Sequence, residues 1–238
     1  FFIKQLQFML HTDPGIRLHD IIKVQFMKRS NDSDPKPAEE WQAIFKKKGQ
    51  LVDEINQKLN TSPLLSHWSY GDSPTENYSP VKFKTGDNEY QEVNLMFVSD
   101  EWMKTFDIQF TESNPQKTHQ EGLSYNLYIS ESAKKLFGIT DISQTELQPE
   151  RRLWYSSGTG EDMSKNPPFH ILGVFKDFNV VHLSKPNCPV VFLPNSSWYE
   201  NPVLASIVPG QRKEAIEFLK KLHDDTIGGE FEYTFIED

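Results

Sequence analysis

Apolar and polar residues follow two rhythms along the chain, one with a period near 3.6 and one with a period of two. Phe2, Ile3, Leu6, Met9 and Leu10 share a helical face, and Asp13-Pro14-Gly15 ends that segment. Ile22, Val24 and Phe26 alternate with Lys23, Gln25 and Met27, which predicts a half-buried strand. From Ala38 onward Trp41, Ile44, Phe45, Leu51, Val52, Ile55 and Leu59 form a stripe at i, i+3, i+4 spacing. Glu39 and Glu40 stand in the first turn, where the helix dipole favours anions, and Pro63 prevents continuation. The expected helix is roughly 30 Å long. Leu64 to Tyr70 then alternates again, with Leu64, Ser66, Trp68 and Tyr70 on one side.

The last third repeats this order. Val203–Val208 predicts a strand, Pro209-Gly210 a turn, and Gln211–Thr226 a helix with Ala215, Phe218, Leu219 and Leu222 inward. Gly228-Gly229 stops that helix, and Phe231, Tyr233 and Phe235 alternate with Glu232, Thr234 and Ile236 as a closing strand. Two βαβ units, one at each end, predict an α+β fold in which residues 1–78 plus 200–238 build a split βαβ, ferredoxin-like sandwich.

Between them, residues 79–199 are expected to form an inserted, mostly β subdomain. Thr85-Gly86-Asp87-Asn88 resembles a hairpin turn, and Glu92–Val98 and Leu123–Ile129 are strand-like. Ser99-Asp100-Glu101 has the pattern of a helix start before Trp102, Met103 and Phe106. Ser130-Glu131-Ser132 opens a second helix carrying Ala133, Leu136 and Phe137, closed by Gly138. Pro168 to Pro194 contains two short apolar runs, Ile171–Phe175 and Val190–Leu193, expected as buried strands joined by an irregular segment. Gly173 within the first run marks a bulge or a close backbone approach.

Composition narrows the function classes. The chain has 238 residues, a formal net charge of −9 and a sequence pI near 5.3, which argue against nucleic acid and anionic lipid as direct partners. Its apolar runs are only strand-sized, too short to span a membrane, and the start lacks a basic segment followed by an apolar one. The single cysteine, Cys188, excludes an internal disulfide and any cysteine-built metal cluster. Because Phe1-Phe2-Ile3 carries no Met, the chain is expected to be an excised piece of something longer.

Candidate chemistry is sparse. Asp32-Ser33-Asp34 alternates acids as calcium loops do, but lacks the glycine and distal glutamate, so a solvated loop is the simpler reading. Ser157-Gly158-Thr159-Gly160 is glycine-rich without a following Lys-Ser/Thr or a strand-to-helix context. His11, His19, His67, His119, His170, His182 and His223 show no metal-ligand spacing. Lys176-Asp177 follows a strand, where a catalytic pair or a surface turn can stand, and a hydrolase using Asp177 with a histidine is one rival reading. Cys188 lies between Asn187 and Pro189, where a small buried side chain is the default. Trp68, Tyr70, Trp198 and Tyr199 are candidate cleft aromatics, or core residues. No catalytic, cofactor or metal constellation emerges.

Several segments, in order, resemble the extracytoplasmic domain of MacB/FtsX-like ABC transporter permeases, particularly the Bacteroides-type paralogues. Gln5-Leu6-Gln7-Phe8-Met9 with Asp13-Pro14-Gly15-Ile16 resembles the family's segment after its first membrane helix. Val98-Ser99-Asp100-Glu101-Trp102-Met103-Lys104-Thr105-Phe106-Asp107-Ile108 resembles its Val-Ser-Pro-Asp-Phe-Phe-Lys-Thr-Phe-Gly-Ile run, though Thr111-Glu112-Ser113-Asn114 replaces the Gly-Arg pair expected next. Tyr128-Ile129-Ser130-Glu131-Ser132-Ala133 is similar to its strand-to-helix junction, with Ser130 for Asn. Ile171-Leu172-Gly173-Val174-Phe175-Lys176-Asp177-Phe178 resembles its Ile-Val-Gly-Val-Val-Lys-Asp-Phe run, and Phe231–Asp238 its segment leading to the second membrane helix.

The resemblance implies a periplasmic, non-enzymatic domain without cofactors, with a porter-like part and an inserted sabre-like part. It also implies flanking transmembrane helices, a second permease protomer in a dimer and a cytoplasmic ATP-binding subunit. A periplasmic adaptor or cargo is a further implied partner. The domain would carry ATP-driven motion across the membrane to move or export a substrate. Phe1, Phe2, Leu6, Phe235, Glu237 and Asp238 would then be membrane-proximal coupling residues. The rival from another class is a periplasmic peptide- or lipid-binding or sensor module.

Overall fold

The computed structural model describes residues 15–27, 37–76, 78–115, 125–151, 153, 167–178, 189–194 and 201–237. The expected elements at Phe1–Leu10, Asn31–Pro37 and Ser156–Asn166 lie outside them, wholly or nearly so. In chain order the elements begin with β1 (Ile21–Val24), α1 (Ala38–Thr61), β2 (Leu65–Tyr70), β3 (Ser79–Lys84) and β4 (Gln91–Val98). There follow α2 (Asp100–Thr105), β5 (Phe110–Ser113), β6 (Asn126–Ser130), α3 (Glu131–Leu136) and β7 (Glu146–Pro149). The chain ends with β8 (Phe169–Phe175), β9 (Val190–Pro194), β10 (Val203–Ile207), α4 (Arg212–Thr226) and β11 (Tyr233–Phe235). The fold is mixed α+β with strands dominant. It divides into two compact units, one of Leu18–Ser73, Lys104–Phe106 and Ser197–Asp238, the other of Phe1–Arg17, Pro74–Met103 and Asp107–Ser196.

In the first unit four strands form a sheet in the order β11-β1-β10-β2, with every neighbouring pair antiparallel. That order follows from two βαβ units each leaving a gap that the other fills, the split βαβ arrangement. Helices α1 and α4 cover one face. Ile55 and Leu59 of α1 and Ala215, Leu219 and Leu222 of α4 pack with Ile22, Val24, Val203, Ala205 and Ile207. At the β2–β10 pairing the register skips Ser66, so Leu65 joins Trp68 and Tyr70 on the core side. The Ser66 hydroxyl donates to the Ser206 carbonyl at 3.1 Å within this bulge.

The expectation for α1 needs correction. Its stripe predicts a buried face along the whole helix, but only Ile55 and Leu59 are buried. The sheet underlies only the C-terminal half. Phe45 is 56% exposed, and Trp41 and Ile44 are half-buried.

The second unit is organised by β8. One edge of β8 pairs in parallel with β6 along its length. The other edge is shared: β7 takes Phe169 and His170, and β5 takes Gly173 to Phe175. Because β7 also pairs β3, the order β8-β6-β9-β4-β3-β7 closes on itself as a barrel, with β5 outside the circuit. Its interior is filled by Val81, Phe83, Val93, Leu95, Leu127, Ile129 and facing residues of β7, β8 and β9. Strands β3, β5 and β7 carry too little apolar periodicity to be predicted.

A bulge sets the phase of β8. Leu127 stands opposite Ile171, but Tyr128 stands opposite Gly173, leaving Leu172 as the extra residue. Phe169, Ile171 and Val174 therefore all face the barrel core, although strict alternation would turn Val174 outward. Gly173 is required by its neighbour. A Cβ there would lie 2.8 Å from the Glu112 carbonyl of β5. On the outer side Phe175 and Phe192 stack with centroids 4.3 Å apart, and Trp102 meets Phe192 edge-on at 5.5 Å.

Gly173→Ala should therefore destabilise the protein by about 1–3 kcal/mol through overpacking at the shared edge. Gly49→Ala in α1, where no atom lies within 4 Å of a new Cβ, should raise stability by about 0.5–1 kcal/mol. Urea midpoints for the two variants should move in opposite directions.

Candidate functional site: the first and last strands

Strand β11 is short but specifically placed. It runs antiparallel to β1, with Ile22 opposite Phe235, Lys23 opposite Thr234 and Val24 opposite Tyr233. The Ile236 N–H donates to the Ile21 carbonyl at 3.0 Å, extending the ladder to the residue that opens β1. The last described residues of the chain thus lie beside the beginning of its first strand. Phe235 and Glu237, two of the predicted coupling residues, are in this pair. Phe1, Phe2, Leu6 and Asp238 lie outside the described residues.

A charged clamp sits at that junction. The Asp20 N–H donates to Glu237 Oε2 at 3.0 Å, and its carbonyl accepts from the Ile207 N–H at 2.8 Å. Asp20 adopts φ +59°, a left-handed conformation that Asp tolerates better than most residues. Arg212 donates through Nε to Asp20 Oδ1 and through a terminal nitrogen to Glu237 Oε1. Its guanidinium also lies 4.3 Å over the Phe235 ring. His19 Nδ1 is 2.6 Å from Glu237 Oε2. One arginine thereby joins residues that are more than two hundred positions apart.

Helix geometry explains why this cluster is balanced. Arg212 is the first residue of α4, where a cation opposes the helix dipole. Two carboxylates at the same end restore the favourable sign. Burial pushes the Glu237 carboxyl up, but the Arg212 hydrogen bond, the Asp20 N–H and the nearby positive charges outweigh it and hold the group below the usual carboxylate range. The same two partners raise the Arg212 guanidinium further. Sequence reasoning named Glu237, weighed His19 only among the histidines as a metal ligand, and missed Asp20 and Arg212. The available signal was an arginine at a helix start, a place that calls for acidic neighbours.

The other candidates occupy structural positions. Tyr70 is buried, its hydroxyl pushed up by that burial and donating to Asn56 Oδ1 at 2.9 Å. The Trp68 indole donates to Asn60 Oδ1 at 2.9 Å, and the two rings meet edge-on at 5.5 Å. Both thus fasten α1 to β2. Trp198, Tyr199 and Cys188 lie outside the described residues, as do the Asp32-Ser33-Asp34 and Ser157–Gly160 loops. Asp177 accepts from the Ser132 N–H at 3.0 Å and its hydroxyl at 2.8 Å, while Ser130 caps Ala133. The Asp177 carboxylate is thus engaged through Oδ1 at the start of α3, while His11, His119 and His182 lie outside the described residues. Among the described residues no group of three potential ligands could hold a metal ion, and no helix is long and apolar enough to cross a membrane.

A groove lies in the sheet-and-helix unit. Its volume is about 460 Å³, and Phe26, Met27, Leu51, His223 and Ile227 line it. His223 is buried between Phe26 and Phe231, with ring centroids at 5.9 and 5.6 Å. Its Nδ1 has no hydrogen-bond partner among the described residues.

No family model matches the chain, and no curated protein matches its sequence. Solved structures do match. A domain assigned as a permease protein of Porphyromonas gingivalis aligns over 92% of this chain and 90% of its own, at 17% identity and a TM-score of 0.50. The extracellular domain of the noncanonic ABC-type transporter YknZ from Gram-positive bacteria aligns over 90% of this chain and 98% of its own, at 14% identity and a TM-score of 0.49. The likeness to the first is one of fold.

Glu237→Gln should lower the melting temperature by about 2 °C at neutral pH. The pH dependence has a definite sign. With the folded-state value depressed, the ionised clamp contributes fully above the unfolded carboxylate's ordinary value of about 4.3 and loses that contribution as pH falls below it. The gap in melting temperature between the parent protein and Glu237→Gln should therefore close on acidification, as followed by circular dichroism.

Proposed function

We propose that this chain is the extracytoplasmic, periplasmic domain of a MacB/FtsX-like ABC transporter permease, on the outer face of a bacterial inner membrane. The β1–β11 pairing carries the proposal. A domain inserted between two membrane helices must bring its ends together, and here Ile236 meets Ile21 with the clamp beside them. Support also comes from the fold likeness to the permease domain and from the ordered segments that resemble this family. The sheet-and-helix unit corresponds to the porter-like part and the barrel unit to the sabre-like part.

The domain performs no chemistry in this reading. Motion driven by a cytoplasmic ATP-binding subunit enters through the flanking transmembrane helices at Phe1, Phe2, Leu6, Phe235, Glu237 and Asp238. It passes into stiff elements that move or export a cargo, directly or through an adaptor, in a dimer of permeases. Two measurements test the reading. The coding sequence on each side should encode an apolar stretch of about twenty residues. Asp87→Cys, in the exposed β3–β4 turn and in a Cys188→Ser background, should be labelled in intact cells by a membrane-impermeant maleimide. Flanking soluble domains on both sides, or labelling only after lysis, would overturn it.

The groove at His223 favours a second reading, a peptide- or lipid-binding or sensor module. Leu51→Trp should then fill it and abolish the fluorescence gain of 1-anilinonaphthalene-8-sulfonate. Unchanged dye binding would remove the groove as a ligand site.

A further inference from the structure

The groove of the sheet-and-helix unit is apolar except at one place. Phe26, Met27, Leu51 and Ile227 supply its walls, and His223 is a buried polar residue among them. Gln25 also lines it, but its side-chain amide turns back to donate to the Met27 carbonyl. Of the charged residues at the margin, Glu230 and Glu232 are exposed and Lys48 is half-buried, so none is enclosed with the apolar walls.

His223 occupies a core position of α4, continuing the buried stripe of Ala215, Leu219 and Leu222, where an apolar side chain would serve the fold better. Only 3% of it is exposed, and its Nδ1 has no hydrogen-bond partner among the described residues. Asp224 Oδ1 lies 3.7 Å from that nitrogen, beyond hydrogen-bond reach. A buried polar atom without a partner destabilises a fold, so one retained at the wall of a groove points to a partner from outside.

We propose that the groove binds a small neutral phenol, an aromatic molecule whose single hydroxyl hydrogen-bonds the His223 imidazole. A volume of about 460 Å³ suits one small molecule. The aromatic body follows from the Phe26 ring and the Met27 thioether, both of which favour aromatic partners. Neutrality follows from the walls, because a charged head would leave water with no enclosed counter-charge to meet it. The hydroxyl follows from His223. A neutral imidazole has one nitrogen that donates and one that accepts, and a hydroxyl does both, so it fits either tautomer. A half-turn about χ2 exchanges Nδ1 with Cδ2 and Nε2 with Cε1, so the ring can turn a nitrogen to the groove. The proposal rests on the second of the two functional readings, in which the groove is a ligand site, and adds the class of ligand.

Equilibrium dialysis of the 238-residue chain at neutral pH tests it with three probes of similar shape: 2-naphthol, 2-methylnaphthalene and 2-naphthoate. 2-Naphthol should bind about tenfold more tightly than 2-methylnaphthalene, the effect of one hydrogen bond in a desolvated site, and 2-naphthoate more weakly than both. His223→Phe keeps an aromatic ring and removes its nitrogens. It should bring the naphthol-to-methylnaphthalene affinity ratio to about one while the melting temperature holds or rises. A purely structural role for His223 would leave that ratio alone. Leu51→Trp should fill the groove and remove binding of both compounds with unchanged circular dichroism, and Ile227→Trp, at a more exposed wall residue, should do the same. Equal affinity for 2-naphthol and 2-methylnaphthalene, tighter binding of 2-naphthoate, or a ratio that survives His223→Phe would overturn the phenol assignment, while loss of binding on Leu51→Trp would still mark a ligand site. No binding of any probe, or binding that survives both tryptophan variants, would overturn the ligand site itself and the proposal with it.

Discussion

The barrel unit depends on how the edge of β8 is shared. A strand has two edges, and β8 serves three partners only because β7 and β5 divide one edge between them. That division demands a change of phase along the strand, which the extra residue Leu172 supplies. It also brings the Glu112 carbonyl so close to the β8 backbone that residue 173 can carry no side chain. The barrel interior, the outer aromatic stack and the capping of α3 by Asp177 all follow β8 on either side of this point. Gly173 is thus a packing requirement, with β8's pairing as its cause.

The sheet-and-helix unit is built on the opposite principle. Its four strands each keep a simple antiparallel neighbour relation, and the order arises from two crossovers interleaved. Most of its stability resides where α1 and α4 cover the central strands, around Ile55, Leu59, Leu219 and Val203. The outermost strand, β11, has three residues and little buried surface. A short edge strand gains little from its ladder alone, so side chains at its end contribute a larger share of its attachment.

The contrast explains what the sequence reveals. Elements with a full apolar face over several repeats, such as α4 and the C-terminal half of α1, are legible from periodicity. Strands β3 and β7 are not, because Val81 and Phe83, or Leu147 alone, give too few repeats to define a period. Bulges at Ser66 and Leu172 are invisible for another reason: a one-residue slip changes which face is buried without changing composition. The stripe on α1 is legible as a stripe, while the extent to which the sheet buries it is not, since periodicity reveals an apolar face and not what covers it. At the clamp, Glu237 could be singled out from its place near the chain end. Its partners Asp20 and Arg212 are joined to it only through tertiary geometry, across a separation of 217 residues in the case of Asp20.

The location of the clamp decides what it can resist. β1 and β11 are antiparallel, and the start of one lies beside the end of the other. If the chain segments leading from Asp20 and Glu237 were pulled apart, the ladder would open like a zipper, one hydrogen bond after another, beginning at Ile21–Ile236. Zipper opening is the weak direction of a β-ladder, because the bonds are loaded singly and not together. Three short-range pairs stand at the point where that opening would start: Arg212 with Asp20, Arg212 with Glu237, and the Asp20 N–H with Glu237. A group anywhere else along β11 would engage only after the ladder had begun to part. On the proposed reading, displacement of the flanking helices can reach α4 and the central sheet as rigid-body motion only while this corner stays closed. On that reading the clamp, and not the three-residue strand, would be the element that transmits it.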